Sequence, residues 1–166
     1  MLSQQTPEIA AKRVLDSLWD GLLPVNIHKI SGDYGVRVEY TPMFSESGVV
    51  SIESGKPIIR VNSTETERRQ RFTVAHELGH IVLHHLTEEK PEFRDPTQNY
   101  TLANYDVRER DANRFAATIL MPPEVVRGIL NSEGITNVDV LADRFGVSTA
   151  AMTIRLKTMG ILPEWA

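Results

Sequence analysis

The hydrophobic pattern in the first quarter of the chain changes from helical spacing to alternation. From Thr6 to Gly21, apolar residues recur at helical intervals behind a Thr-Pro-Glu start, which predicts a surface helix capped by Thr6 with proline in its first turn. Residues 25–34 predict a second, shorter helix that is closed by Gly35. Residues 36–40 then alternate between apolar and charged side chains, as a half-buried strand does.

Two further strands are predicted on either side of a tight turn. Residues 49–52 and 57–61 are the strands, and Glu53-Ser-Gly-Lys56 between them is a hairpin signal. Together with the strand over 36–40, they predict a small, mostly antiparallel sheet of three strands. Helices and strands therefore fall in separate groups, which indicates an α+β fold.

A long helix is predicted to follow the sheet and to carry most of the candidate chemistry. It begins at Ser63-Thr64, has acidic residues in its first turn, and runs to about His85. Residues 87–105 contain prolines and no sustained periodicity, which predicts a long loop, and loops of that length are uncommon unless they are functional. Helical spacing resumes over 106–120 and is ended by Pro122-Pro123.

Composition limits the kinds of site that the chain can hold. There is no cysteine among its 166 residues, so a metal ion would have to be held by His, Asp or Glu. A formal net charge of -4 lacks the basic surplus that nucleic acids select. Charged residues interrupt the first apolar pattern, and no run approaches the ~18 apolar residues of a membrane span. We therefore expect a cytoplasmic protein with no membrane partner.

The predicted long helix contains a candidate metal-binding motif, His76-Glu-Leu-Gly-His80. Two imidazoles four residues apart share one helix face within reach of a single ion, and zinc suits such a pair. Glu77 lies about 100° round the axis from His76, so it is predicted as the base that activates a water at the open metal position. Gly79 costs a helix about 1 kcal/mol relative to alanine, which suggests that another backbone passes close by. His84 continues the series, but four-residue steps drift by about 40°, which disfavours a fourth ligand and favours a structural role or a place behind the ligands.

A catalytic zinc needs a third protein ligand, and the helix over 106–120 supplies the candidates. They are Asp106, Glu109 and Asp111. Glu109 is followed four residues later by Asn113, so both project from one face, where the amide can orient a ligating imidazole. Asp111 is better explained as a solvated charge, and Asp106 stays open as an alternative to Glu109.

Taken together, these motifs resemble those of the ImmA/IrrE family of metallopeptidases, which are HExxH zincins of the gluzincin-like type. The resemblance is carried by His76-Glu-Leu-Gly-His80, by residues 72–75 before it, by His84 after it, and by the stretch 109–122. It extends over about residues 23–162. It implies a zincin-like core with a small sheet and an active-site helix, followed by a helix-turn-helix-like helical extension.

The resemblance also implies roles for individual residues. His76, His80 and Glu109 would bind the metal, and Glu77 would be the catalytic base. The expected cofactor is one Zn²⁺ per chain, with Mn²⁺ as an alternative. Asp111 stands where the family often has Glu, which does not affect the ligand set.

The sequence therefore predicts a zinc-dependent metallo-endopeptidase. Residues 1–166 are expected to form one metallopeptidase domain, with the core over about 1–123 and the helical extension over about 124–166. The resemblance further implies that the substrate is a helix-turn-helix repressor of the Xre type, which the enzyme cleaves to relieve repression.

For the oxyanion donor and for the strand that binds the substrate, the sequence offers several candidate residues. Donors for the oxyanion are expected close in sequence to the third ligand. The candidates are Tyr100, Tyr105, Arg108 and Arg110, and the sequence does not distinguish between them. An extended peptide commonly adds to an exposed strand edge, and Pro57 fits the start of an edge strand. That predicted edge consists of Ile58, Ile59, Arg60 and Val61.

The alternative prediction is a DNA-binding regulator that keeps its metal site for structure. It is based on residues 141–157, which have helix-turn-helix spacing around Gly146-Val-Ser148. The second helix of that pair offers few basic side chains for phosphates, chiefly Arg155 and Lys157, so a packing role is favoured over specific nucleic-acid binding. Glu77 separates the two hypotheses, because a structural zinc site closed by four ligands has no need of a carboxylate beside an open position.

Overall fold

The computed structural model of the chain describes residues 5–96 and 106–163, which form seven helices and a four-stranded sheet. The helices are α1 (Pro7–Leu18), α2 (Ile27–Asp33), α3 (Glu67–Val82), α4 (Val107–Leu120), α5 (Pro123–Glu133), α6 (Val138–Phe145) and α7 (Thr149–Thr158). The strands are β1 (Arg37–Thr41), β2 (Glu46–Glu53), β3 (Lys56–Asn62) and β4 (Glu92–Pro96). The predicted α+β class and the helical C-terminal region are confirmed. Across the described part of the chain, no helix combines the length and the apolar character needed to cross a bilayer.

Side-chain caps determine where the helices begin. Thr6 accepts a hydrogen bond from the backbone N–H of Ile9, as predicted for α1. The start of α3 was predicted too early, because its cap is Thr66 and not Ser63-Thr64. The Asn62 side-chain oxygen accepts hydrogen bonds from both the backbone and the hydroxyl of Thr64, so these residues form a turn that ends β3 instead of starting a helix.

The sheet has the strand order β1-β3-β2-β4 and is mixed. β2 and β3 form the predicted antiparallel hairpin, and both turn residues, Ser54 and Gly55, have the positive φ that its tight turn requires. The prediction of three strands was incomplete. β1 is parallel to β3, and β4 adds antiparallel to β2 from within the stretch that was predicted to be a loop.

β3 lies in the interior of the sheet. It pairs with β1 on one side and with β2 on the other, so the prediction that Ile58, Ile59, Arg60 and Val61 form an edge strand is wrong. The proline that suggested an edge is accommodated differently. Pairing with β1 begins at Ile58, so Pro57 precedes that ladder and its missing N–H removes no bond from it.

Close packing between α3 and α4 brings the two sequence motifs together. A Cβ atom added at Gly79 would lie 3.0 Å from the Phe115 ring and 3.2 Å from the Ala112 Cα atom. The close backbone approach predicted from Gly79 is therefore present. Ala112, Phe115 and Ala116 are fully buried at this contact, so α4 is held with its Glu109 face turned towards α3.

Two arginines of α3 bind the turn between α6 and α7, and we call Arg68 and Arg71 the arginine clamp. Arg68 donates a hydrogen bond of 2.8 Å to the carbonyl of Val147. Arg71 donates to the carbonyls of Gly146 at 3.1 Å and Phe145 at 3.3 Å. The segment with helix-turn-helix spacing is thus a helix pair whose turn is fixed against the N-terminal half of α3.

Candidate metal centre

His76 and His80 lie one turn apart on α3 and are almost completely buried. The Nε2 atom of His76 is 3.0 Å from Oε2 of Glu109, and the Nε2 atom of His80 is 3.2 Å from Oε1 of the same carboxylate. One possible ligand atom from each of the three residues lies within 4.8 Å of the others. The structure therefore brings together the three residues that the sequence predicted as metal ligands.

Asn113 contacts the outer nitrogen of the first histidine. Its Oδ1 atom lies 2.8 Å from Nδ1 of His76, which agrees with the helix face that Asn113 was predicted to share with Glu109. In the tautomer with a proton on Nδ1, His76 donates to this oxygen, and the lone pair of its Nε2 atom is directed to the centre of the cluster.

Two residues that the sequence analysis did not assign contact the second histidine. Nδ1 of His85 lies 2.9 Å from Nδ1 of His80, and the ring of Phe93 on β4 stacks on the His80 ring with centroids 4.1 Å apart. His85 was missed because a helix continuing past residue 82 would have turned it to another face. The sequence offered one signal for Phe93, which is that it is an isolated aromatic residue in a short polar stretch.

The protonation states of the cluster suit a cation. Burial opposes ionisation of Glu109, but the contacts of its carboxylate with the imidazoles of His76 and His80 hold the pKa of the carboxyl far below the usual range. Burial lowers the pKa of His80 to about 4, against the opposing effect of Glu109. Burial also lowers the pKa of His85. Near neutral pH the cluster accordingly combines a neutral His80 imidazole with an ionised carboxylate, and these are the forms that bind a metal.

The donor set therefore fits zinc. Two imidazole nitrogens and one carboxylate form a common set of three protein ligands for a catalytic zinc. The outer nitrogens of His76 and His80 already have partners in Asn113 and His85, so their inner nitrogens are the ones available to an ion.

Glu77 is fully buried between α3 and β2. A Cβ atom added at Gly48 of β2 would lie 3.1 Å from Oε1 of Glu77 and 2.5 Å from Cγ2 of Thr73. β2 can therefore carry no side chain at this position, and the pairing of β2 with β4 shifts register between Glu46 and Gly48. The sequence analysis missed Gly48 because it lies one residue outside the predicted strand, although glycine in a strand often marks such a close approach.

The remaining acidic residues of α4 have other contacts. Asp106 caps the helix and binds Arg108 through both carboxylate oxygens. Asp111 pairs with Arg114 at 3.5 Å. Glu109 is therefore the α4 carboxylate that lies in the cluster.

The oxyanion candidates are only partly described by the structure. The Arg108 guanidinium lies 5.2 Å from the centre of the Phe93 ring, which places it near the second histidine, whereas Arg110 is exposed. Tyr100 and Tyr105 lie outside the described residues. His84 is exposed after the end of α3 and is not one of the three residues of the cluster among the described residues.

Comparison with known proteins gives a consistent set of relatives. Residues 32–157 match a peptidase family described as the IrrE N-terminal-like domain. The radiation response metalloprotease IrrE of Deinococcus radiodurans is 31% identical over 136 residues, which are 81% of this chain and 40% of that protein. The protein of the same name from Deinococcus deserti is 31% identical over 119 residues, or 70% of this chain and 41% of its own length.

A phage protein is also similar. The uncharacterized immunity region protein 2 of Bacillus phage phi105 is 32% identical over 87 residues, which are 52% of this chain and 51% of the phage protein. This chain thus spans about two fifths of the length of the two Deinococcus proteins and about half of the phage protein.

Proposed function

Since this chain belongs to the peptidase family described as the IrrE N-terminal-like domain, we propose that it is a metallo-endopeptidase that uses one zinc ion, or Mn²⁺ in its place. The observation that carries the proposal is the buried cluster of His76, His80 and Glu109, which lies on the same helix pair as the buried carboxylate of Glu77. A structural site would have no use for that additional carboxylate.

Each residue of the site has a separate proposed role in peptide hydrolysis. His76, His80 and Glu109 would hold the ion, which when bound supplies Lewis-acid polarisation and lowers the pKa of water towards ~7. Glu77 takes the proton from the attacking water and delivers it to the leaving amine. Burial keeps bulk water away from this carboxylate, and the close approach of Gly48 limits its movement. Asn113 holds the ring of His76 in the binding orientation.

An extended substrate peptide is proposed to add to β4 and not to β3. β4 pairs with β2 on one side and is one of the two edge strands of the described sheet. Its Phe93 stacks on His80, so a peptide paired along β4 would run beside the metal ligands. The other edge strand, β1, is separated from β4 by two strands.

The proposed substrate is a helix-turn-helix repressor of the Xre type, cleaved to relieve repression in the cytoplasm. Support comes from the phage relative, whose name assigns it to an immunity region. Addition to a strand edge selects flexible or extended segments, so cleavage is expected in a linker of the repressor and not in a folded domain.

DNA binding by the α6–α7 pair is less well supported than a packing role. Arg155, one of its two chief basic residues, donates a hydrogen bond of 3.0 Å to the carbonyl of Met121 and is partly buried. The arginine clamp fixes the turn of the pair against α3. These contacts support one domain in which the described part of the helical extension, up to residue 163, packs on the core.

The chemistry can be tested by separating metal binding from hydrolysis. Wild type and Glu77→Gln are purified, their zinc content is measured by mass spectrometry, and each is incubated with an Xre-type repressor encoded beside the gene. We expect about one zinc per chain in both proteins and cleavage by wild type alone, because Glu77 is a base and not a ligand. Loss of zinc from Glu77→Gln, or full activity in it, would contradict the assigned roles. Turnover of an unrelated protein but of no repressor would reject the substrate and leave the chemistry standing.

A further inference from the structure

The chain reverses direction immediately after α3, and no glycine takes part in the reversal. Leu83 is the C-cap, and His84 adopts the left-handed conformation with φ of 58°. The N–H of His84 donates to the carbonyl of Ile81 at 3.1 Å, and the N–H of His85 donates to the carbonyl of His80 at 2.9 Å. This pair of bonds is the Schellman arrangement, which folds the residue after the left-handed position back onto the last turn of the helix.

The reversal brings the side chain of His85 to the outer nitrogen of His80. The two Nδ1 atoms are 2.9 Å apart and the ring centroids 5.1 Å apart at an interplanar angle of 64°. Two imidazole nitrogens at that distance form a hydrogen bond only if one carries a proton and the other presents a lone pair. The direction of the bond thus determines the tautomer of both rings.

Binding of the proposed metal ion would decide which nitrogen of His80 carries the proton. Nε2 of His80 faces the Glu109 carboxylate, where a metal ion would be held, so the lone pair is needed on that nitrogen. The proton of a neutral His80 must then be on Nδ1, and Nδ1 of His85 must accept it.

We propose that His85 is a positioning residue that fixes the tautomer and the ring orientation of His80, as Asn113 does for His76. The inference rests on the proposed metal site and adds a residue to it. Each of the two histidines then donates its outer N–H to an acceptor of its own. The acceptor for His76 is Asn113 on α4, and the acceptor for His80 is His85 in the reversal after α3. Loss of such an outer acceptor commonly lowers metal affinity by about 10–100-fold.

Three variants separate this role from a contribution to folding. His85→Phe keeps a ring of similar size without an acceptor, whereas His85→Asn places its Oδ1 atom where Nδ1 lies in histidine. His84→Gly is the matched control, because glycine favours the left-handed conformation and leaves His85 in place. The folding of each metal-free variant is compared by circular dichroism and thermal unfolding.

Zinc affinity, measured by competition with a chelator, is the deciding quantity. We expect His85→Phe to bind zinc about 10–100-fold more weakly, His85→Asn to recover most of the affinity, and His84→Gly to match wild type. Equal affinity in His85→Phe and wild type would overturn the inference, as would an Asn variant no better than the Phe variant. If wild type itself bound no zinc, the proposed metal site would fail first and the inference with it.

A second measurement needs no variant and therefore does not depend on whether one folds. In zinc-loaded wild type labelled with ¹⁵N, a coupling across the hydrogen bond should connect Nδ1 of His80 with Nδ1 of His85, with the proton assigned to His80. A proton assigned to Nδ1 of His85, or no coupling between the two nitrogens, would overturn the inference.

Discussion

A methyl group at position 48 would test whether β2 holds Glu77 in place. In Gly48→Ala the added carbon would lie 2.5 Å from Cγ2 of Thr73, 3.1 Å from Oε1 of Glu77 and 3.2 Å from the carbonyl oxygen of Arg60. The first distance is far inside the 3.5–4.0 Å at which carbon atoms pack. The Arg60 carbonyl belongs to β3, which is paired on both sides and cannot move without disturbing two ladders. The strain is therefore relieved mainly by displacing Thr73 and Glu77.

The size of the effect follows from that displacement. Overpacking a well-packed core by one carbon costs about 1–3 kcal/mol of folding free energy. A catalytic group misplaced by about 1 Å can lose on the order of 100-fold in rate. We therefore expect Gly48→Ala to lower kcat by about 10–100-fold. Zinc affinity should stay at the wild-type value, because none of the nearest neighbours of the added carbon is a proposed ligand.

The matched control is the same substitution at Gly128 in α5, where an added Cβ atom meets nothing within 4 Å. Gly128→Ala should keep wild-type kcat and gain about 0.5–1 kcal/mol of stability, because alanine is the better helix former. Initial rates of repressor cleavage, zinc affinity by chelator competition and urea unfolding measure the three quantities. Wild-type kcat and stability in Gly48→Ala would refute the packing argument. Loss of zinc would show that the methyl group disturbs the ligands and not only the base.

Two further predictions concern the ligand cluster. Glu109→Ala should weaken zinc binding by more than the roughly 10–100-fold expected for an outer contact, while Asp111→Ala, which removes the pair with Arg114 and no proposed ligand, should bind zinc nearly as wild type does. Unchanged zinc affinity in Glu109→Ala would indicate that the third ligand is Asp106 or Asp111 and not Glu109. Metal-free protein should also lose stability as the pH falls from 6.5 to about 4, because the unfolded chain protonates His80 at its ordinary pKa of 6.5 and the folded chain only near 4. A melting temperature in chelator that stayed constant across this range would contradict the burial of a neutral His80.

Local chemistry explains why the sequence already indicated which residues would form the candidate metal centre. The spacing of His76 and His80 places them on one helix face without any knowledge of the fold. The pairing of Glu109 with Asn113 does the same for α4. Gly79 indicated that another segment packs closely against α3. A glycine lowers the stability of the helix, but here it permits the close contact with Ala112.

The features that could not be predicted depend on contacts between distant segments. β4 is five residues long, and Phe93 is the buried apolar side chain among its residues 92–94, so the pairing of β4 with β2 leaves almost no periodic signal. His85 was hidden because α3 ends without glycine or proline, and His84 takes the left-handed position that sequence rules assign to glycine. Pro57 suggested an edge, but the register of β1 starts one residue later.

The arginine clamp has a consequence for how the molecule opens. Arg68 and Arg71 lie on α3 one to two turns before His76, and they bind backbone carbonyls of the α6–α7 turn. Separation of that helix pair from α3 would break the hydrogen bonds from the Arg71 guanidinium to its two carbonyl acceptors. Local unfolding of the C-terminal helices is therefore thermodynamically linked to fraying of the helix that holds the histidines. A ligand that stabilised or displaced the pair would shift the population of intact His76, His80 and Glu109 clusters without touching any of these three residues.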